Sequence, residues 1–173
     1  MMHVSATTVR TVVPSLAAMT IMVLAMPALG RVPDAIAAPD QVPIVTVHGE
    51  GAQIYECKTN AGGRLAWRFR EPIATLILND NTVGHHSAGP AWAFNDGSAI
   101  TGTISASAPG ATRRDIPWLR LDVTSHSGNG ELSGATTVQR INTRGGAMAG
   151  SCRRPGTFLS VPYSADYVFL RRS

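Results

Sequence analysis

The chain has 173 residues, 44% of them hydrophobic and 15% charged, which excludes an intrinsically disordered protein and allows one domain with its own core. The 17 glycines and 11 prolines have no triplet period and favour many turns over long helices. The net charge is +4, but the basic residues form separate doublets rather than one stripe among aromatics. We therefore expect a solvated surface, or weak attraction to anionic cell-surface material, and no nucleic-acid partner.

The N-terminal segment, residues 1–37, is typical of a cleaved signal peptide. Arg10 precedes an apolar run at 16–26, which has the length of a signal core and is too short to span a bilayer comfortably. Two small-x-small cleavage sites follow, at 28–30 and 35–37, and the second is favoured because it leaves a polar start. We predict an exported protein, periplasmic or extracellular, that meets the membrane only through this transient segment. An uncleaved membrane anchor is the alternative.

Cys57 and Cys152 are the only cysteines in the chain. An even number of cysteines in an exported protein indicates a disulfide, which here would close a long loop. A pair of free thiols is the alternative. Because two cysteines without a CxxC spacing make a poor zinc site, the pair does not predict a metal.

The remainder of the chain, residues 38–173, alternates between apolar and polar residues with a period of two. Strands are predicted, in chain order, at 44–48, 53–58, 65–70, 75–78, 82–86 (continuing after Gly89-Pro90 as 91–94), 100–107, 116–123, 136–143 and 163–170. We interpret Gly49-Glu50-Gly51 as a turn, Pro72 as the end of a strand and Asp96-Gly97 as a hairpin turn. About eight or nine short strands predict a single all-β domain, either an antiparallel β-sandwich or a barrel.

Seven stretches combine glycines, aromatic residues and polar side chains in a distinctive order. They are GAQIYEC (51–57), GHHSAGPAW (84–92), DGS (96–98), IPWL (116–119), SHSGNG (125–130), VQRINTRGG (138–146) and VPYSADY (161–167). Through them the chain, from about 42 to 169, resembles the family known as domain of unknown function 3455, found in exported bacterial proteins and in fungi. The resemblance implies the domain boundaries and an exported location. It implies no catalytic residue, because no activity is established for that family.

Unusual polar residues meet glycine-rich backbone in two of these stretches. If the domain has a ligand site, we expect it at His85, His86, Trp92 and His126, with Arg140 from a later strand. His85 and His86 point to opposite faces of a strand, so at most one of them can join a shared site. No HExxH or His-x-His spacing is present, and we expect no cofactor and no bound metal. Histidines that converge with a carboxylate after folding are the alternative.

The function predicted from these residues is a non-catalytic exported domain that binds a small molecule, a glycan or a cell-envelope component. Large aromatic side chains supply the argument: most belong to a core, and one at a groove can stack on a flat ligand. The alternative is a metal-dependent or carboxylate-based secreted enzyme, with Glu50, Glu56 and Asp166 as candidate acids near aromatic residues. A structural or interaction protein of the envelope is the third hypothesis.

Overall fold

The computed structural model describes residues 31–173, so the predicted signal core lies outside the described residues. Within these residues, eight antiparallel strands form one sheet, which closes into a barrel because the first strand pairs with both the second and the last. They are β1 (Gln41–Thr59), β2 (Leu65–Leu78), β3 (Asn81–Ser87), β4 (Ala91–Phe94), β5 (Ala99–Ala108), β6 (Trp118–Ser127), β7 (Thr137–Gly145) and β8 (Phe158–Arg172). The all-β prediction is confirmed, and of the two architectures left open the protein has the barrel. Within residues 31–173, no helix is long and apolar enough to cross a membrane.

β1 runs without interruption for 19 residues, so the turn predicted at Gly49-Glu50-Gly51 is wrong. A Cβ on Gly49 would stand 2.6 Å from the Tyr167 ring, and one on Gly51 would overlap the backbone oxygen of Ile73. The two glycines therefore permit close packing inside an extended strand instead of reversing the chain.

β2 likewise continues through Pro72, and the strand end predicted there is wrong. Pro72 lies opposite Gln53 on β1, close to a bulge in the β1–β2 pairing. The pairing of β2 with β3 begins only at Ala74, opposite His86. Because Pro72 lies beyond the paired part of β3, no ladder hydrogen bond is lost on that side of the strand.

The core fills the barrel with inward-facing residues. Trp92, Tyr167 and Phe169 are the largest side chains that are fully buried. The Trp92 ring packs edge-on against Tyr167 at 5.8 Å and against Phe169 at 6.1 Å between ring centroids. Edge-to-face contacts of this kind add to the stabilisation that burial of apolar surface already provides.

The hairpin turn after β4 and the loop after β6 close one end of the barrel together. The Asp96 carboxylate accepts hydrogen bonds from the backbone N–H of Glu131 at 2.7 Å and of Ser98 at 2.8 Å. These bonds hold the pKa of Asp96 below its usual value. A Cβ on Gly130 would overlap the Asp96 carboxylate, so only glycine allows this approach. Two of the stretches that carry the family resemblance therefore meet in a structural clamp, and the predicted Asp96-Gly97 turn is confirmed.

The predicted disulfide between Cys57 and Cys152 is confirmed. It ties β1 to the segment 146–157, which connects β7 with β8. The same segment is held by backbone hydrogen bonds, from the Trp67 N–H to the Gly150 oxygen at 3.1 Å and from the Gly156 N–H to the Cys57 oxygen at 2.9 Å. A structural disulfide of this kind is typical of an oxidising compartment outside the cytoplasm.

The segment that precedes β1 packs against β5 and β6. Ile36, in a short 3-10 turn at Asp34–Ile36, is fully buried, and its carbonyl accepts a 2.7 Å hydrogen bond from the Gln139 side chain. Arg120 donates to the Ala37 carbonyl at 2.8 Å. Cleavage after residue 37 stays a prediction. It would remove Ile36 and expose Gln139, whereas cleavage after residue 30 would keep the packed turn.

Candidate functional site

A cavity of about 260 Å³ lies at the end of the barrel where β3 turns into β4. Its walls are mainly apolar, with Leu119, Leu121 and Tyr167 among the lining side chains, and the exposed Phe69 and Ile104 contribute to its rim. An engineered protein cavity of about 150 Å³ takes up benzene, so this cavity has room for a molecule of one or two rings.

Three of the five predicted site residues line this cavity, namely His86, Trp92 and Arg140. His86 on β3 lies directly opposite Trp92 on β4, and their rings stack with centroids 4.6 Å apart and planes inclined by 10°. Arg140 reaches the cavity from β7. The barrel therefore brings together one histidine, one large aromatic and one cation that are far apart in the sequence.

The other two predicted site residues lie elsewhere. His85 is exposed on the outer face of β3, as the alternation along the strand requires once His86 faces inward. His126 lies near the far end of β6, where its Nε2 is 2.6 Å from the Ala135 carbonyl oxygen. No group of three His, Cys, Asp or Glu side chains in residues 31–173 is arranged to hold a metal ion.

His86 is a neutral, fixed ring. Its Nδ1 lies 2.8 Å from the carbonyl oxygen of Ala91, and because a carbonyl only accepts, Nδ1 carries the proton and Nε2 keeps a lone pair. Burial lowers the pKa of His86 to about 4, and the positive charge of Arg140 acts in the same direction, while the bond to Ala91 opposes it. At neutral pH, His86 therefore presents a hydrogen-bond acceptor without charge.

Arg140 brings a partly buried positive charge to the cavity wall. Its Nε and Nη2 donate to the Pro117 carbonyl oxygen at 3.1 and 2.8 Å. Within residues 31–173, no carboxylate lies within 4.0 Å of its guanidinium, whereas Arg70 at the rim is paired with Glu71 and Glu56. Burial lowers the pKa of Arg140, and the nearby tyrosine hydroxyls oppose this shift. A guanidinium stays charged in proteins, so the cavity carries an uncompensated cation.

The Trp92 indole nitrogen is buried, exposes almost no surface and has no hydrogen-bond partner among the described residues. The Gln53 amide nitrogen and the Trp118 indole nitrogen share this property, but neither residue lines the cavity. Leaving a buried donor without an acceptor costs about 1–3 kcal/mol. Trp92 therefore contributes ring surface to the cavity wall rather than a hydrogen-bond donor.

Sequence reasoning did not single out Tyr167 for this site. The Tyr167 hydroxyl lies 3.0 Å from that of Tyr163, and burial raises the pKa of both phenols. The alternation along β8 places these two residues on one face with Ala165, which is a usable signal. It does not show which face of the strand is inside the barrel.

A separate polar cluster lies on the outer side of the barrel. His48 Nδ1 is 2.8 Å from Asp166 Oδ1, and the Asn142 amide donates to Asp166 Oδ2 at 2.8 Å. The Glu50 carboxylate is 3.6 Å from His48 Nε2. The third candidate acid, Glu56, pairs with Lys58 at 2.9 Å. Among the described residues that line the cavity, none is acidic.

These features define a class: a disulfide-tied, eight-stranded β-barrel with a small, mainly apolar cavity and one uncompensated cation in its wall. The chain belongs to the family described as Protein of unknown function (DUF3455), which matches residues 38–80 and 77–171. The resemblance seen in the sequence is thereby confirmed. The comparison with curated proteins found no match. The comparison with solved structures found none either.

Proposed function

We propose that this protein is an exported, non-catalytic binding protein that takes a small molecule into the cavity at the end of its barrel. The observation that carries the proposal is the cavity itself, whose mainly apolar walls include the neutral ring of His86 and the uncompensated charge of Arg140. Small-molecule sites have this composition: apolar surface supplies affinity, and a small number of polar groups fix orientation.

The chemistry of the lining residues supports binding over catalysis. A general base works best when its pKa is near the operating pH, and the pKa of His86 is about 4. Its Nδ1 is already bound to the Ala91 carbonyl. The apolar walls also favour a small, partly apolar molecule over a glycan, which needs many hydrogen-bonding partners.

The proposed location outside the cytoplasm draws on two features. The Cys57–Cys152 disulfide is typical of an oxidising compartment, and residues 1–37 have the sequence pattern of a signal peptide. A binding protein for small molecules is useful there, because it meets ligands directly from the surroundings of the cell.

Filling the cavity tests the proposal. The Leu121→Trp variant places an indole in space that the ligand needs, and we expect it to weaken binding of a one-ring probe at least tenfold. Calorimetric titration with 3-phenylpropionate and with its neutral amide measures the affinity. The Ile73→Trp variant adds the same bulk on the exposed face of β2 and should bind like the original protein.

Folding of both variants is checked by thermal unfolding, since overpacking a core costs about 1–3 kcal/mol. Equal affinity of a folded Leu121→Trp variant and the original protein would show that the probe binds outside the cavity. That result would contradict the proposed function.

A further inference from the structure

We propose that the cavity selects small monocarboxylates, with the Arg140 guanidinium as the group that holds the carboxylate. This inference rests on the proposed function and adds the chemical class of the ligand. It follows from the positive charge of Arg140, which no acidic side chain in residues 31–173 compensates, and from the apolar residues around it.

Arg140 carries a positive charge in the cavity wall. The two hydrogen bonds to the Pro117 carbonyl oxygen use two of the five guanidinium N–H groups, and a hydrogen bond with the Tyr167 hydroxyl engages another. None of these acceptors is charged, and within residues 31–173 no acidic side chain lies within 4.0 Å. A partly buried cation of this kind is stabilised by an anion that enters with its own charge.

The geometry of the guanidinium selects the shape of the anion. A guanidinium presents N–H groups in a planar fork, which matches the two oxygens of a carboxylate. The Trp92 ring, stacked on His86, lines the same cavity and adds apolar surface. One uncompensated cation suits a single negative charge, whereas a phosphate dianion needs more donors and more positive charge.

The other lining residues define the remainder of the ligand. Leu119, Leu121 and Ile104 line the cavity and offer no hydrogen bonds, so the body of the ligand is apolar. His86 offers only the lone pair of Nε2, because Nδ1 donates to Ala91. A lone pair accepts a hydrogen bond from a hydroxyl or amine on the ligand and repels a second carboxylate. The site therefore discriminates against dicarboxylates.

The test uses three probes of the same shape and different charge: 3-phenylpropionate, 3-phenylpropionamide and 3-phenylpropylamine. Calorimetric titration of the full domain is expected to show the carboxylate binding at least tenfold more tightly than the amide, and the amine most weakly. Arg140→Gln should reduce the affinity for the carboxylate at least tenfold and leave the affinity for the amide within about twofold. Arg144→Gln removes an exposed charge from the same strand and serves as the matched control.

A second variant covers the case in which Arg140→Gln does not fold. Arg140→Lys keeps the charge but loses the planar fork, so we expect an affinity for the carboxylate between those of the original protein and Arg140→Gln. The order of the three probes on the original protein needs no variant at all.

The outcomes separate this inference from the proposed function. Equal binding of carboxylate and amide, or carboxylate binding unchanged in a folded Arg140→Gln variant, would overturn the inference while the proposed function stands. Equal losses in Arg140→Gln and Arg144→Gln would also overturn it, because the effect would then reflect the general charge of the protein. Binding of none of the probes, with no effect of Leu121→Trp, would remove both.

Discussion

Replacing both Cys57 and Cys152 by serine is expected to lower the free energy of unfolding by about 4–5 kcal/mol. The disulfide joins residues 95 positions apart, so it strongly restricts the unfolded chain. It also anchors the segment 146–157 to β1. Urea or guanidinium unfolding of the oxidised protein and the double variant measures the difference. Replacing both residues avoids the unpaired thiol that a single replacement would leave.

Reduction provides the control for this prediction. A reducing agent should lower the stability of the original protein to about that of the double serine variant and leave the variant itself unchanged. Protein made in a reducing cytoplasm should show the same lower stability until it is oxidised, which agrees with a working place outside the cytoplasm. A loss below 1 kcal/mol in the double variant would contradict a structural role of the disulfide.

Acidification from pH 6.5 to pH 4 is expected to lower the stability of the protein by about 3 kcal/mol through His86 alone. The pKa of His86 is lowered from 6.5 to about 4 in the folded state, mainly by burial. In this window the unfolded chain binds a proton that the folded protein does not bind. The contribution of His86 to the free energy of unfolding is therefore fully present above pH 6.5 and is lost as the pH falls towards 4.

Urea unfolding at several pH values between 7 and 4 checks this expectation. The His86→Asn variant keeps an N–H that can donate to the Ala91 carbonyl, but its side chain does not titrate. Between pH 6.5 and pH 4 its free energy of unfolding should therefore fall by about 3 kcal/mol less than that of the original protein. His85→Asn removes a neighbouring histidine that is exposed and should follow the original protein. Parallel pH curves for His86→Asn and the original protein would refute the assignment to His86.

Much of the fold could be predicted because side chains on a barrel strand face the core and the solvent in turn. Apolar and polar residues therefore alternate along each strand with a period of two. The predictions were wrong where contacts between residues far apart in the sequence determine the conformation of the backbone. The glycines at 49 and 51 have the composition of a turn, but they are small because Tyr167 and the backbone of Ile73 pass close to them. Closure of the barrel pairs Val47 with Tyr167, and no local pattern indicates that contact.

The candidate site was predictable in part. His86 and Trp92 lie in one short stretch of sequence. This stretch folds into a hairpin of two adjacent strands, which places the two residues directly opposite each other. The alternation showed that His85 and His86 face opposite sides but not which of them faces inward. Tyr167 and Leu121 are ordinary strand residues that reach the cavity only because the barrel closes. His126 belongs to a polar stretch that helps to close the other end of the barrel.

A ligand that enters the cavity lies beside the Trp92 ring. The chain has three tryptophans and therefore three indole N–H signals in a ¹H–¹⁵N spectrum, each assignable by a Trp→Phe variant. During titration with 3-phenylpropionate, we expect the signal of Trp92 to move, because its ring lines the cavity that the probe fills, while that of Trp67, which does not line the cavity, stays in place. A Trp92 signal that does not move when the protein is saturated with the probe would contradict binding in the cavity.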